Sequence, residues 1–126
     1  MFEKLGLTRM AQALAAHSGS RVEVLARNIA NADTPGFRAL DMPAFAGIYD
    51  DAGFALRSTR AGHMMNENSY TAPPVMSGGG MAPNGNDVSL DQQMMKAVEA
   101  RQSHEMALAV YRSTSAIIRT SLGRNN

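Results

Sequence analysis

A chain of 126 residues has room for one domain or one elongated element pair, its net charge of +1 does not indicate a strongly basic surface for nucleic acid, and the lack of cysteine excludes disulfides and thiolate metal sites. Hydrophobic residues make up 44% of it but aromatics only 6%, with no Trp, so Ala, Met, Leu and Val must do most of the packing. That supply suits helices pressed together along a seam better than a thick globular core.

The first residues, Met1-Phe2-Glu3-Lys4-Leu5-Gly6, hold neither a continuous apolar segment nor a small-residue cleavage site, so no cleaved signal peptide is expected. Nor does any apolar run approach the ~20 residues that a membrane helix needs. From about residue 5 to 32 the pattern predicts a helix about 40 Å long. Ala11, Ala15, Ser18, Val22, Leu25, Ile29 and Ala32 recur in the alternation of a heptad seam, and Leu7, Met10 and Leu14 widen the stripe. Gln12, Glu23 and Arg27 fall on the opposite side. Small residues dominate the first half of this seam, which lets another helix approach closely. Gly19 and Ser20 sit mid-helix and predict a weak spot or a bend, at roughly 1 kcal/mol for the Gly.

The helix must stop at or before Asp33. Pro35 has no backbone N–H and disfavours helical geometry at Thr34. Pro35-Gly36 fits the two central positions of a type II turn, where Gly supplies the positive φ. Phe37 then offers an apolar side chain to pack back on the helix just ended.

Residues 38–87 change character. Tyr70-Thr71-Ala72-Pro73-Pro74 and Met81-Ala82-Pro83-Asn84-Gly85-Asn86 flank Ser77-Gly78-Gly79-Gly80, a composition of loop and flexible linker. Asp41 is a candidate cap for a short helix reaching about Tyr49, with Pro43 in its first turn. Phe54-Ala55-Leu56-Arg57-Ser58-Thr59 reads as extended. A structureless loop of this length is unusual inside a compact domain, which suggests order gained against a neighbouring chain.

A second long helix starts at Ser89-Leu90-Asp91-Gln92, which fits a capping box. Its heptad track runs Leu90, Met94, Ala97, Arg101, His104, Leu108, Tyr111, Ser115, Ile118, Leu122, with Gly123 as the stop. Met95, Val98, Ala109 and Ile117 add a flanking stripe. The fold class is therefore mostly α: long N- and C-terminal heptad helices pair as a coiled coil around an irregular, partly extended middle. The corresponding parts are 1–33, 34–87 and 88–126. Seam positions are Val22, Leu25, Ile29, Leu90, Met94, Leu108, Tyr111, Ile118 and Leu122. Two helices alone cannot bury every stripe, so an assembly subunit is expected.

Ala30-Asn31-Ala32-Asp33-Thr34-Pro35-Gly36-Phe37, closing a heptad helix near the N-terminus, resembles the signature of bacterial flagellar rod and hook proteins. Asn84-Gly85-Asn86-Asp87-Val88-Ser89-Leu90-Asp91 followed by Gln93-Met94-Met95-Lys96 narrows the resemblance to the proximal rod proteins of the basal body. Glu99, Arg101, Glu105 and Tyr111 continue it. The short length fits, because larger rod and hook relatives carry inserted domains. Between Leu40 and Met81 the match is loose, and nothing is carried over there. The resemblance implies a structural, non-enzymatic subunit of the flagellar basal body with no cofactor. It would be exported by the flagellar type III apparatus and assemble in the periplasm as part of the rod. Its partners would be copies of itself, other rod proteins, and membrane-ring and rod-base adaptor proteins, with no nucleic acid and no direct membrane insertion. Asn31, Asp33, Thr34, Pro35, Gly36 and Phe37 would be contact and turn residues.

The remaining chemistry-bearing residues point to no site. His17, His63 and His104 make no metal-binding spacing. His17, Ser18 and Ser20 lack a nucleophile elbow. Asp50-Asp51 reads as an acidic turn, and the Gly run lacks the Gly-Lys-Ser/Thr ending of a phosphate loop. The methionines, Met64-Met65 and Met94-Met95 among them, suit adaptable packing at subunit contacts. Arg101 and His104 form either a polar layer between helices or a solvent- or lumen-facing pair. A soluble helical adaptor or export chaperone, binding one partner through amphipathic helices, is the alternative function.

Overall fold

The computed structural model describes residues 2–52 and 72–123. In chain order they form α1 (Phe2–Ala30), β1 (Leu40–Asp41), α2 (Phe45–Ala52), β2 (Val75–Met76) and α3 (Leu90–Ser121). The chain is mostly helical. Its two long terminal helices pack on each other, and a shorter, irregular middle lies against them. The stretch expected to be extended, Phe54–Thr59, lies outside the described residues, as do His63, Met64 and Met65.

α1 runs unbroken through Gly19 and Ser20 and begins before Leu5, where no breaker opposes it. It lies antiparallel to α3. Asn28 meets Gln93 near one end of the pair, and Ala15 meets His104 further along. The buried column of α1 is Ala11, Ser18 and Leu25, and that of α3 is Gln93, Ala100, Ala107 and Thr114, each at seven-residue steps. Ala97, His104, Tyr111 and Ile118 are half-buried beside it.

The α3 seam therefore differs from the expected track. Leu90, Met94 and Leu122 are 46%, 55% and 66% exposed. Leu108, Tyr111 and Ile118 are half-buried, as are Val22 and Ile29 on α1. The reason is close approach: small side chains let the backbones draw together, and larger ones are displaced to the flanks. Thr114 enters the seam because its hydroxyl donates to Val110 O at 2.9 Å, which satisfies it within the helix. Leu25, 0% exposed, is the largest apolar anchor, and full burial of a Leu contributes about 1.5–3 kcal/mol.

His104 and Arg101 separate. The His104 Nδ1–H donates to Ala15 O at 2.9 Å, whereas Arg101 is exposed. Gly19 faces the ring: a Cβ there would sit 4.0 Å from His104 Nδ1, an ordinary contact.

The ends of α3 follow their local chemistry only in part. Ser89 is the N-cap residue, with φ −93 and ψ 110, but its side chain makes no cap bond, so the capping box does not form. Asp91 in the first turn still suits the helix dipole. At the other end Gly123 takes φ +69, and the N–H groups of Leu122 and Gly123 return to Ile118 O and Thr120 O at 3.1 and 3.2 Å.

In the middle, β1 pairs antiparallel with β2, Leu40 opposite Met76 and Asp41 opposite Val75. Ser77 N–H extends the ladder to Ala39 O at 3.0 Å, so the glycine run is tied at its start. α2 begins after Ala44, whose carbonyl accepts Ile48 N–H. Asp41 does not cap it: three residues of non-helical chain intervene, and the Asp41 carboxylate is committed elsewhere.

Candidate functional site

α1 ends in a stitched corner. Beyond Ala30, Asn31 N–H reaches Arg27 O and Asn28 O, and its side-chain amide donates to Arg27 O at 2.8 Å. Thr34 N–H donates to Asn31 O at 3.0 Å, and the Thr34 hydroxyl to Asn31 Oδ1 at 3.2 Å. Phe37 N–H then closes on Thr34 O, and Gly36 between them takes φ +73, the marks of a type II turn. Asp33, Thr34, Pro35 and Gly36 face solvent, while Asn31 and Phe37 are half-buried.

The corner does not stand alone. Asn84–Asp87, distant in sequence, folds against it as a clasp. Gly36 N–H donates to Asn84 O at 3.1 Å, and Asp87 N–H to Phe37 O at 3.3 Å. The buried Asn86 amide donates to Asn31 O, Ala32 O and Thr34 O at 3.0, 2.9 and 2.8 Å, satisfying carbonyls that the ended helix leaves open. Its own Oδ1 accepts Val88 N–H at 2.7 Å. Gly85, at φ +80, lies back to back with Gly36, and a Cβ on it would stand 3.5 Å from Gly36 Cα. Asp87, also buried, accepts Ala39 N–H at 2.6 Å and pairs with Arg38 at 3.6 Å. Gly78 presses so close to that carboxylate that any Cβ would collide with it.

A second polar knot fixes where the chain leaves the corner. Fully buried Asn28 grips Leu40 like a neighbouring strand: its Nδ2 donates to Leu40 O at 2.6 Å, and its Oδ1 accepts Leu40 N–H at 3.1 Å. The same amide donates to Gln93 Oε1 at 2.9 Å, so α1, β1 and α3 share one residue. Next to it, Asp41 takes a bidentate pair from Arg21 at 2.8 and 3.0 Å and a contact from Lys96 at 3.3 Å. Burial pushes the Asp41 carboxyl up. The hydrogen bonds from Arg21 and Met42 N–H, the Arg21 charge and the Lys96 contact outweigh it, and its pKa lies below the ordinary value. The Arg21 pKa is raised, chiefly by the hydrogen bond to Asp41 and against its own desolvation. A cleft of about 280 Å³ lies beyond this pair, between Leu14 and His17 of α1, Ser103 of α3 and the Met42–Phe45 segment. His17 donates Nε2–H to Pro43 O at 2.8 Å and packs against Phe45, the ring centroids 5.5 Å apart.

Sequence reasoning had both blocks, 30–37 and 84–91, but no reason to bring them together. The signal was the density of Asn, Asp and Gly in Asn84-Gly85-Asn86-Asp87, residues that bond backbone groups locally and tolerate positive φ. Asn28, Gln93 and Gly78 were missed as structural residues, and Asp41 was given the role of a helix cap in place of the ion pairs it makes. Neither Asn nor Gln in a heptad looks like core until its partner is known. What the arrangement offers chemically is a rigid, hydrogen-bonded corner that presents Asp33, Thr34, Pro35 and Gly36 outward. Among the described residues no group of His, Asp and Glu is arranged to hold a metal ion, and no helix is long and apolar enough to cross a membrane.

Comparison with known proteins gives this geometry its family. A family model described as flagella basal body rod protein matches residues 6–38, which span α1 from Gly6 onward and the corner through Phe37. The flagellar basal body rod protein FlgB of Agrobacterium fabrum is 31% identical over 100 residues, covering 74% of this chain and 75% of the relative. The chain belongs to the flagellar basal body rod protein family, as a structural subunit of that apparatus.

Proposed function

We propose that the chain builds the proximal rod, the drive shaft's first section, by helical assembly with copies of itself and with other rod proteins. On this reading it leaves the cytoplasm through the flagellar type III apparatus and takes its place in the periplasm. There it meets the membrane-ring and rod-base adaptor proteins. The role is structural, with no turnover and no cofactor. The observation that carries the reading is the corner: a run of exposed residues held rigid from behind by Asn86 and Asp87, in a chain of the rod family. The apolar surface supports it. Met94, Met95, Val98, Met106, Ile117 and Leu122 remain exposed after α1 and α3 have paired, which is the condition of a subunit with neighbours to meet.

Complementation of a strain lacking the gene tests this, with the wild-type chain and Gly36→Val compared for export and for incorporation. Gly36 holds φ +73, a region costing a β-branched residue about 1–3 kcal/mol. Nothing lies within 4 Å of the position a Cβ would take, so the damage is confined to the backbone of the corner. Export of the variant at wild-type level with loss of rods is the expected result. Complete rods in the strain without the gene would leave the adaptor or chaperone role instead.

A further inference from the structure

The clasp carries a chemistry of its own. Asn84-Gly85 is the chain's single Asn followed by Gly. In such a pair the next backbone nitrogen can close a five-membered ring on the Asn side-chain carbonyl carbon, and Gly brings no Cβ to hinder the approach. Gly85 N, on giving its proton to hydroxide, attacks Asn84 Cγ. The Cγ–Nδ2 bond breaks, ammonia leaves with a proton taken from water, and a succinimide closes. Water then opens the ring at either carbonyl. Breaking the Cγ–N bond leaves Asp. Breaking the bond from the main-chain carbonyl carbon leaves isoaspartate, whose chain runs on through Cβ and Cγ. In either case one water is consumed and one ammonia released, with no oxidant or reductant.

The fold presents the reacting groups and restrains them at once. Asn84 is exposed, so water and hydroxide reach it. Gly85 N–H, however, donates to Ala82 O at 2.8 Å, which holds on the nitrogen the proton it must lose. Asn84 Oδ1 accepts Asn86 N–H at 3.1 Å, which pins the side chain to a group two residues on. Ala82 N–H returns to Asn86 O at 2.8 Å, and Gly36 N–H donates to Asn84 O at 3.1 Å, so the main chain around the reacting bond is tied as well. The neighbouring Asn86 is no rival, being buried with its amide nitrogen engaged on three carbonyls.

We propose that Asn84 is a site of spontaneous deamidation guarded by the clasp, so that the reaction proceeds through molecules whose clasp has opened. The open fraction then sets the rate. The product also opposes closure. Isoaspartate at position 84 lengthens the main chain by one carbon before Gly85, and it turns the carbonyl that accepts Gly36 N–H into a side-chain carboxylate. A chain whose corner stays open is thereby marked at the residue that would have closed it.

The test incubates the full-length protein at mildly alkaline pH, native and in guanidinium chloride. Peptide mass mapping reads the conversion of amide to acid at Asn84, and a protein isoaspartate methyltransferase with labelled S-adenosylmethionine counts the isoaspartate. The expected result is reaction in the denatured chain at the pace of a free Asn-Gly peptide, and about tenfold slower or more in the native one, the factor set by its open fraction. Asn86→Ala, native and with its helices intact by circular dichroism, should react faster than wild type. Asn84→Gln, which would have to close a six-membered ring, should remove the methyltransferase signal. Equal rates in native and denatured wild type would show that the clasp restrains nothing and overturn the proposal, and that comparison needs no variant to fold. An Asn84 that stays unreacted in both states would overturn it too, as would a methyltransferase signal that Asn84→Gln leaves unchanged.

Discussion

The Asn86 side chain serves more backbone groups than any other residue at the corner. One amide reaches the carbonyls of Asn31, Ala32 and Thr34 and receives Val88 N–H. Asn86→Ala is expected to destabilise the fold by about 1–3 kcal/mol, because it takes from Ala32 O and Val88 N–H the partner that Asn86 gives them. Asn86→Asp should be worse than Ala, because it turns a donor into a negative oxygen facing three carbonyl oxygens. Urea midpoints at constant slope measure both, and an Asp variant as stable as wild type would refute the role. The glycine run offers a second test. A methyl group at Gly78 would strike the Asp87 carboxylate, whereas at Gly79 and Gly80 it would meet nothing within 4 Å. Gly78→Ala should therefore lower the midpoint clearly, while Gly79→Ala and Gly80→Ala leave it within about 0.5 kcal/mol of wild type, as surface substitutions do. Equal effects at all three positions would mean that the run acts only as a linker.

At the scale of elements, the existence of both long helices was legible because heptad spacing, Pro35 and Gly123 mark their course and ends. The face that α3 buries was not. The expected track followed its large residues, Leu90, Met94 and Leu122, and the helix instead buries Gln93, Ala100, Ala107 and Thr114. Ala carries little apolar area, so a stripe of Ala, Gln and Thr has no hydrophobic contrast. It becomes a seam only against a facing helix that also presents small residues, as α1 does with Ala11 and Ser18. The arm after the corner was illegible for a different reason. Its position depends on Asn28 imitating a strand edge, and an Asn side chain bonded to a residue twelve positions on leaves no periodic trace. Gly19 shows the same dependence on context. It reads as a weak spot, yet the helix passes through it, and the site abuts His104. Gly19→Ala should stabilise the protein by about 0.5–1 kcal/mol, since a Cβ would sit at ordinary contact distance, 4.0 Å, from His104 Nδ1. Gly19→Leu should reverse the sign by displacing the ring from Ala15 O. Thermal midpoints of the two variants on opposite sides of wild type would confirm that spacing.

Over the whole molecule, Asp41 is the charge that joins the helical hairpin to its arm. It sits on β1, pairs with Arg21 of α1 and touches Lys96 of α3, so the three elements share one carboxylate. Its pKa in the fold lies below the ordinary value, despite the burial that opposes ionisation, because Arg21, Met42 N–H and Lys96 hold the charged form. An unfolded Asp titrates near 4 (roughly 3.9). A carboxyl whose pKa is lower in the fold than in the unfolded chain stabilises the fold fully above that value. The contribution disappears as the pH falls through the folded value. Arg21 keeps its charge throughout that range, so acidification leaves a cation facing a neutral carboxyl. Stability should be flat above about pH 5 and decline below pH 4. Asp41→Asn keeps the shape but loses the charge, and should cost about 1.5–3 kcal/mol at neutral pH, the range for hydrogen bonds to charged groups. The gap between wild type and variant should then narrow as both are acidified, because the wild-type side chain becomes the neutral species the variant already is. Urea midpoints of the pair from pH 7 down to about pH 2.5 read this directly. A gap that stays constant over that range would show that Asp41 holds the arm by its shape and hydrogen bonds alone, and that the charge it places between the three elements contributes nothing to keeping them together.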